Sequence, residues 1–310
     1  MSTVRLGLAQ TLTHFGADEA KNVKVAVDLV RQAAGLGVDL LAFAENYPGP
    51  FTDTNRFEVA EAMSAAARTH GVAVAYGTSL PAPDTSGAFH IATVVVDKHG
   101  EERGVYRRTH PEGPYIYRDG EQWNFDYVAA EAFPVIDMGW GKVAVSICSE
   151  VHIPEISRIL ALKGAELVLY PSGLLIDELG YTDNWQTLVR ARAIENHMYT
   201  ATLVNLMDPA VGDQFNRSGV ELAPPRGEVT EGIGMIAGPE RVIARSGQPG
   251  ILTADLDLDR VRYLREAEEE LIVPAPYRTI PGHLGWRRPE LYGELTRPRP
   301  TSIRRRPQEQ

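Results

Sequence analysis

Short apolar runs of strand length recur along the chain, and most are separated by segments of helical periodicity. This alternation limits the possible folds more than any other feature. Val4–Gln10, Val38–Glu45, Val72–Ser79, Val143–Ser149, Ala165–Pro171 and Ala201–Leu206 read as strands. Several are nearly continuous in apolar residues, as strands covered on both faces must be. Between them, Glu19–Ala34 sets Val23, Val27 and Val30 at helical spacing, with Ala26 and Ala33 alongside. Phe57–His70 and Asp183–Met198 read as further helices. Another has Pro154 in its first turn and Gly164 just past its end, the expected placement for both. Ile91–Asp97 and Gly104–Arg108 flank a turn at Lys98-His99-Gly100. Gly234–Ala237, Val242–Ser246 and Ile251–Asp257 look antiparallel. The order β-α-β-α-β-β-β-α-β-α-β-β-β predicts a layered α/β sandwich, its strands covered by helices on one face and by more sheet on the other.

No repeat or low-complexity linker divides the 310 residues, and 44% apolar content suffices for a large core. The Arg- and Pro-rich end, Arg287–Gln310, reads as a solvated tail or as an arm lying on a partner subunit. A net charge of −10 argues against nonspecific nucleic-acid binding. A single cysteine excludes an intrachain disulfide and a thiolate zinc cluster. The eight histidines show no His-Glu-x-x-His pattern, so no metal site is expected. No P-loop and no Gly-x-Ser-x-Gly elbow occurs. No apolar stretch reaches the ~18 residues of a membrane helix, and MSTVRLGLAQ lacks a long apolar signal core. These features together point to a reducing cytoplasm.

The lone cysteine, Cys148, falls at the end of an apolar strand and just before a helix. Such a position suits a small core residue equally well. It also suits a nucleophile, since backbone N–H groups at a strand-to-helix junction favour a thiolate and bind an oxyanion. A cysteine nucleophile needs a base and a donor for the charge that builds on the attacked oxygen. Glu45, closing the apolar run LLAFAE where a charge is locally expensive, is a candidate base.

The segment ICSEVHIPEISRILALKGAELVLYPSG strongly resembles the nucleophile region of the nitrilase superfamily of carbon–nitrogen hydrolases, with Cys148, Pro154-Glu155, Arg158, Gly164-Ala165 and Pro171 in register. NWQTLVRARAIENHMYTATLVN is similar to the family's later helix and strand, with Trp185, Arg190, Arg192, Glu195, Asn196 and Asn205. ILTADLDLDRVRYLRE, RRPELYGEL and LLAFAENYPGP match further segments, so the resemblance runs from about Val4 to Leu295. It implies a four-layer α-β-β-α sandwich, with 1–285 as the hydrolase domain and 286–310 as a C-terminal arm or tail. It also implies a homodimer or larger assembly, with contacts near Arg190–Asn196 and the arm, and no cofactor.

Carried over by position, Glu45 matches the general base and Cys148 the nucleophile. Glu112 is the best match to the family's second glutamate. The family's lysine falls on Arg108, and none of the five lysines lies at that motif. Arginine keeps the charge, but it is planar, bulkier and effectively never neutral. The resemblance therefore implies cysteine-dependent hydrolysis of a small amide. Two alternatives stay open because of Arg108: acyl transfer or amide formation on the same site, and ligand binding without turnover. The backbone N–H of Ser149 is expected as an oxyanion donor, and His110, Tyr117, His152 and Trp185 as pocket lining. Ser149 stands where true nitrilases often carry Trp, which favours an amide over a nitrile.

Overall fold

In the computed structural model the described residues are 3–14, 16–50, 57–83, 87–110, 115–118, 121–124, 127–173, 181–206, 232–267 and 279–297. Two six-stranded sheets stack face to face. The first contains β1 (Thr3–Gln10), β2 (Leu40–Ala42), β3 (Ala73–Pro81), β4 (Phe89–Val96) and β5 (Glu102–Arg107) in sequence order, and β14 (Gly250–Asp257) closes its other edge beside β1. The second runs from β8 (Ile136–Asp137) through β9 (Lys142–Val145), β10 (Leu167–Ser172), β11 (Tyr199–Val204) and β12 (Gly234–Ala237) to β13 (Val242–Ser246). β6 (Tyr115–Arg118) and β7 (Glu121–Asn124) form a separate hairpin.

The centre of each sheet is parallel, β1–β2–β3 and β9–β10–β11, and the edges are antiparallel. Helices α1 (Lys21–Gly35) and α2 (Ala60–His70) follow β1 and β2 and supply Ala26, Val30, Met63 and Ala67 to the first core. Helices α3 (Pro154–Leu162) and α4 (Tyr181–Asn196) cover the second sheet through Ile156, Leu160, Val189 and Ala193. The result is the α-β-β-α sandwich. Period-two alternation along β9 decides which core each side chain enters. Val143, Val145 and Ile147 lie between the sheets, while Ala144 lies under the helices.

The structure shortens several expected elements. β2 is Leu40–Ala42 rather than Val38–Glu45, and β9 stops at Val145. Both strands end early because the backbone must turn to present a polar side chain. The hairpin β6–β7 and the short β8 were not legible as strands in the sequence. Part of the C-terminal segment lies along its own chain: His283 Nε2 is 3.2 Å from the Glu195 carbonyl, and Arg287, Pro289, Tyr292 and Leu295 line a groove against α3. No helix among the described residues is long and apolar enough to cross a membrane.

This docking leaves a buried histidine with a measurable consequence. His197 follows α4 with φ +44, is fully buried, and its ring lies 3.9 Å from that of His283. Burial, then His283 and Arg265, lower its pKa to about 3. In the unfolded chain it takes a proton near pH 6.5. Between those limits the unfolded state binds the extra proton, so stability falls as pH falls, with a slope approaching about 1.4 kcal/mol per pH unit. Asparagine tolerates positive φ. His197→Asn is therefore expected to lose less stability than the wild type between about pH 7 and about pH 4.5 by urea denaturation. Equal losses would refute this assignment.

Candidate active site

Glu45, Arg108 and Cys148 all follow the C-terminal ends of strands, the first two from one sheet and the third from the other. Beyond β2 the chain turns sharply at Asn46 (φ +52). Gly77 on β3 makes room for this turn, since a Cβ there would stand 2.3 Å from the Asn46 amide nitrogen. The Glu45 amide donates to the Ser172 carbonyl at 3.2 Å, and its carbonyl accepts from Asn205 Nδ2 at 2.7 Å. Asn205 is held in turn by the Thr13 hydroxyl, 3.0 Å from its Oδ1. Glu45 thus grows from the first sheet and is pinned to the second. A Cβ at Gly173 would lie 2.9 Å from Glu45 Oε2, so that glycine lets the carboxylate sit against the backbone.

Cys148 opens a five-residue 3-10 turn, Cys148–His152, with φ +54. The sequence had placed it at the end of an extended strand. A non-glycine residue in the left-handed region is strained, and such strain is held in place by the surrounding contacts. Pro154 forces Ile153 toward extended geometry (φ −102, ψ 95), which separates the turn from α3. Two side chains hold the turn. Glu150, fully buried, accepts from the Ile147 amide at 2.6 Å. Arg192 on α4 donates from Nε and Nη2 to the Val151 carbonyl at 3.1 and 3.0 Å.

Arg108 follows β5 and is buried. Its amide donates to the Ile91 carbonyl at 2.8 Å, fixing the backbone in the first sheet. Its guanidinium forks. Nη1 donates to Glu45 Oε1 at 3.0 Å, and Nη2 donates to Ser149 Oγ at 2.5 Å. Planar geometry lets one side chain bridge the carboxylate and the residue next to the cysteine. Tyr127 shares this environment: burial raises its pKa first, the Glu45 charge raises it further, and Arg108 opposes the rise.

The structure brings Glu45, Arg108 and Ser149 into direct contact beside Cys148. Ser149 enters through its hydroxyl as well as being the neighbour whose backbone N–H was expected to act. His110 is about half exposed and stacks on Phe133 with centroids 6.4 Å apart. His152 donates from Nδ1 to the Ser149 carbonyl at 3.2 Å and meets the edge of Trp185 at 5.4 Å. Trp185, on α4, is buried against the second sheet, its indole N–H 3.3 Å from Thr202 Oγ1. Glu112 lies outside the described residues. Tyr117 lies on β6, where only the backbone is described.

A thiol on a strained turn, a buried carboxylate, and a buried cation that bridges the carboxylate to the residue beside the thiol are the parts needed for attack on a carbonyl-like carbon. Residues 5–266 match the Carbon-nitrogen hydrolase family. The chain belongs to this family, within the nitrilase superfamily. A deaminated glutathione amidase of Synechocystis is 27% identical over 263 residues, covering 79% of this chain and 89% of that protein. The crystal structure of an amidase from Nesterenkonia sp. is 26% identical with TM-score 0.61, over 84% of this chain and 92% of that one. A carbon-nitrogen hydrolase from Helicobacter pylori G27 shares the fold with TM-score 0.72 at 23% identity, over 95% and 99% of the two chains. This carbon–nitrogen hydrolase is an amidase-like enzyme. Its sequence had signalled Glu45 and Cys148, but not Gly173, Tyr127 or the anchoring of Glu45 by Asn205. Those contacts join positions far apart in the chain and leave no local pattern.

Proposed function

We propose that this enzyme hydrolyses a small non-peptide amide through a thioester on Cys148. Glu45 takes the thiol proton, and sulfur attacks the carbonyl carbon. The Arg108 guanidinium and the Ser149 backbone N–H stabilise the tetrahedral oxyanion. Glu45 passes the proton to the departing nitrogen, the C–N bond breaks, and ammonia or an amine leaves. Glu45 then accepts a proton from water, which attacks the thioester. The acid departs and the thiol is restored. The observation that carries this reading is the buried guanidinium held between Glu45 and Ser149, one residue from Cys148. The amidase relatives named above support the amide over other carbon–nitrogen bonds. Pairing of two copies near α4 and the C-terminal segment belongs to the same proposal. Exposed Ile159, Leu162, Leu291 and Leu295 on that face support it, and sedimentation measures it.

Because the chain has one cysteine, the acyl intermediate has one address. Rapid quenching with a panel of short aliphatic amides should show, by intact mass, one acyl adduct that maps to Cys148 and is discharged by water. Acid release from any amide with no adduct at any quench time, together with retained activity after Cys148 is alkylated, would overturn the thioester route.

A further inference from the structure

Glu150 accepts five hydrogen bonds, and their donors lie at the ends of strands from two different sheets. Its Oε1 accepts from the Thr109 amide at 2.8 Å, the Thr109 hydroxyl at 2.7 Å and the His110 amide at 2.9 Å. Its Oε2 accepts from the Tyr106 hydroxyl at 2.7 Å and the Ile147 amide at 2.6 Å. Tyr106, Thr109 and His110 flank Arg108 at the end of β5. Ile147 immediately precedes Cys148. One fully buried side chain therefore grips the neighbours of both the cation and the thiol.

We propose that Glu150 is a positioning residue that locks the segment carrying Arg108 onto the turn carrying Cys148, fixing the separation of guanidinium and sulfur. The proposal rests on the functional reading above for the roles of those two groups.

The backbone anchors of each segment do not do this, and the Nη2–Ser149 Oγ bond joins the two through the guanidinium itself rather than through the chain that carries it. The Ile91 carbonyl and the Ala130 amide hold the Arg108 backbone from within its own sheet's surroundings. Arg192 holds the far end of the turn to α4, on the side of the second sheet. Glu150 lies between the two and joins their backbones. The arrangement also accounts for a carboxylate here. Five donors converge on two oxygens, and a glutamine would turn an NH2 toward two or three of them. Leaving buried donors unmatched is costly, and the segment relieves that cost by moving. A displacement of about 1 Å in a reacting group is enough to lower a rate by roughly 100-fold.

The test uses the full chain and two readouts. One is alkylation of Cys148 by iodoacetamide at neutral pH, followed by intact mass. The other is steady-state hydrolysis of propionamide. For Glu150→Gln that retains a cooperative unfolding transition, alkylation is expected to slow by about 10-fold as the cation leaves the thiol. Turnover should fall by roughly 100-fold in kcat with KM within about 3-fold, the pattern of a transition-state defect. A folded variant whose alkylation rate and kcat both stay within about 2-fold of wild type overturns the proposal, because a purely structural carboxylate would lower only stability. Should Glu150→Gln fail to fold, Tyr106→Phe and Thr109→Val each delete one donor and keep the other four. Both are expected to slow alkylation by about 3-fold, and unchanged rates in both overturn the proposal. A wild type that hydrolyses no amide and forms no adduct would instead defeat the functional reading, and the alkylation comparison would still decide the role of Glu150.

Discussion

Replacing Cys148 with alanine is expected, on the proposed thioester route, to lower amide turnover by at least ~10,000-fold, because covalent catalysis has no second route once its nucleophile is gone. The same variant should unfold at nearly the wild-type denaturant concentration. Alanine has the same Cβ as cysteine, so it meets the same steric cost at φ +54. Cys148 is only partly buried, so loss of one sulfur atom leaves a small defect. Cys148→Gly sharpens the argument. Glycine adopts positive φ without strain but gains chain entropy on unfolding, so stability should stay level or rise by up to ~1 kcal/mol while activity remains absent. Activity and stability would then move in opposite directions at one residue, the signature of strain held for function. Urea midpoints and initial rates on the same preparations measure both. A Cys148→Ala protein with more than a hundredth of wild-type turnover would place the nucleophile elsewhere.

How far the sequence revealed this site depended on the range of the interactions involved. Local patterns were informative where covering both faces of a strand demands apolar runs. β1, β3, β10 and β12 lie within about two residues of their expected positions. They misled where the chain leaves a strand. The apolar runs ending in Glu45 and Cys148 continue through residues that the backbone has already turned away from the sheet. Hydrophobicity records that these residues are buried, not that they are extended. Glu45 and Cys148 were legible because each is chemically out of place in its run. Arg108 was found only by resemblance, since an arginine beside Arg107 carries no local signal. Glu150 carries no local signal, because its donors at Tyr106, Thr109 and His110 lie about forty positions away. Trp185, read as pocket lining because it lies near a motif, sends its indole N–H to Thr202 Oγ1 on β11, a contact that no local pattern signals.

The buried ion pair of Glu45 and Arg108 yields the second large effect. Glu45 and Arg108 form an ion pair with only 7% and 5% of their side-chain surfaces exposed. Removing one partner strands the other, so Arg108→Ala should cost about 3–5 kcal/mol of stability. On the proposed mechanism it should also reduce turnover by roughly 100- to 1000-fold, the cost of removing one oxyanion donor. Arg108→Lys separates these two effects. An ammonium can pair with Glu45, so most of the stability should return, within ~1 kcal/mol of wild type. It lacks the fork that reaches Ser149 Oγ at the same time, so turnover should remain at least ~10-fold below wild type. If the serine hydroxyl serves chiefly to orient the guanidinium, Ser149→Ala should cost about 10-fold in the arginine protein and nearly nothing in the lysine protein. That difference is a coupling of about 1.4 kcal/mol between the two positions. Measured kcat/KM values for the four proteins of this cycle test the account. Equal costs of Ser149→Ala in both backgrounds would show that the hydroxyl acts independently of Arg108. Turnover by Arg108→Lys above the wild-type level would show that the site had not been built around the guanidinium at all.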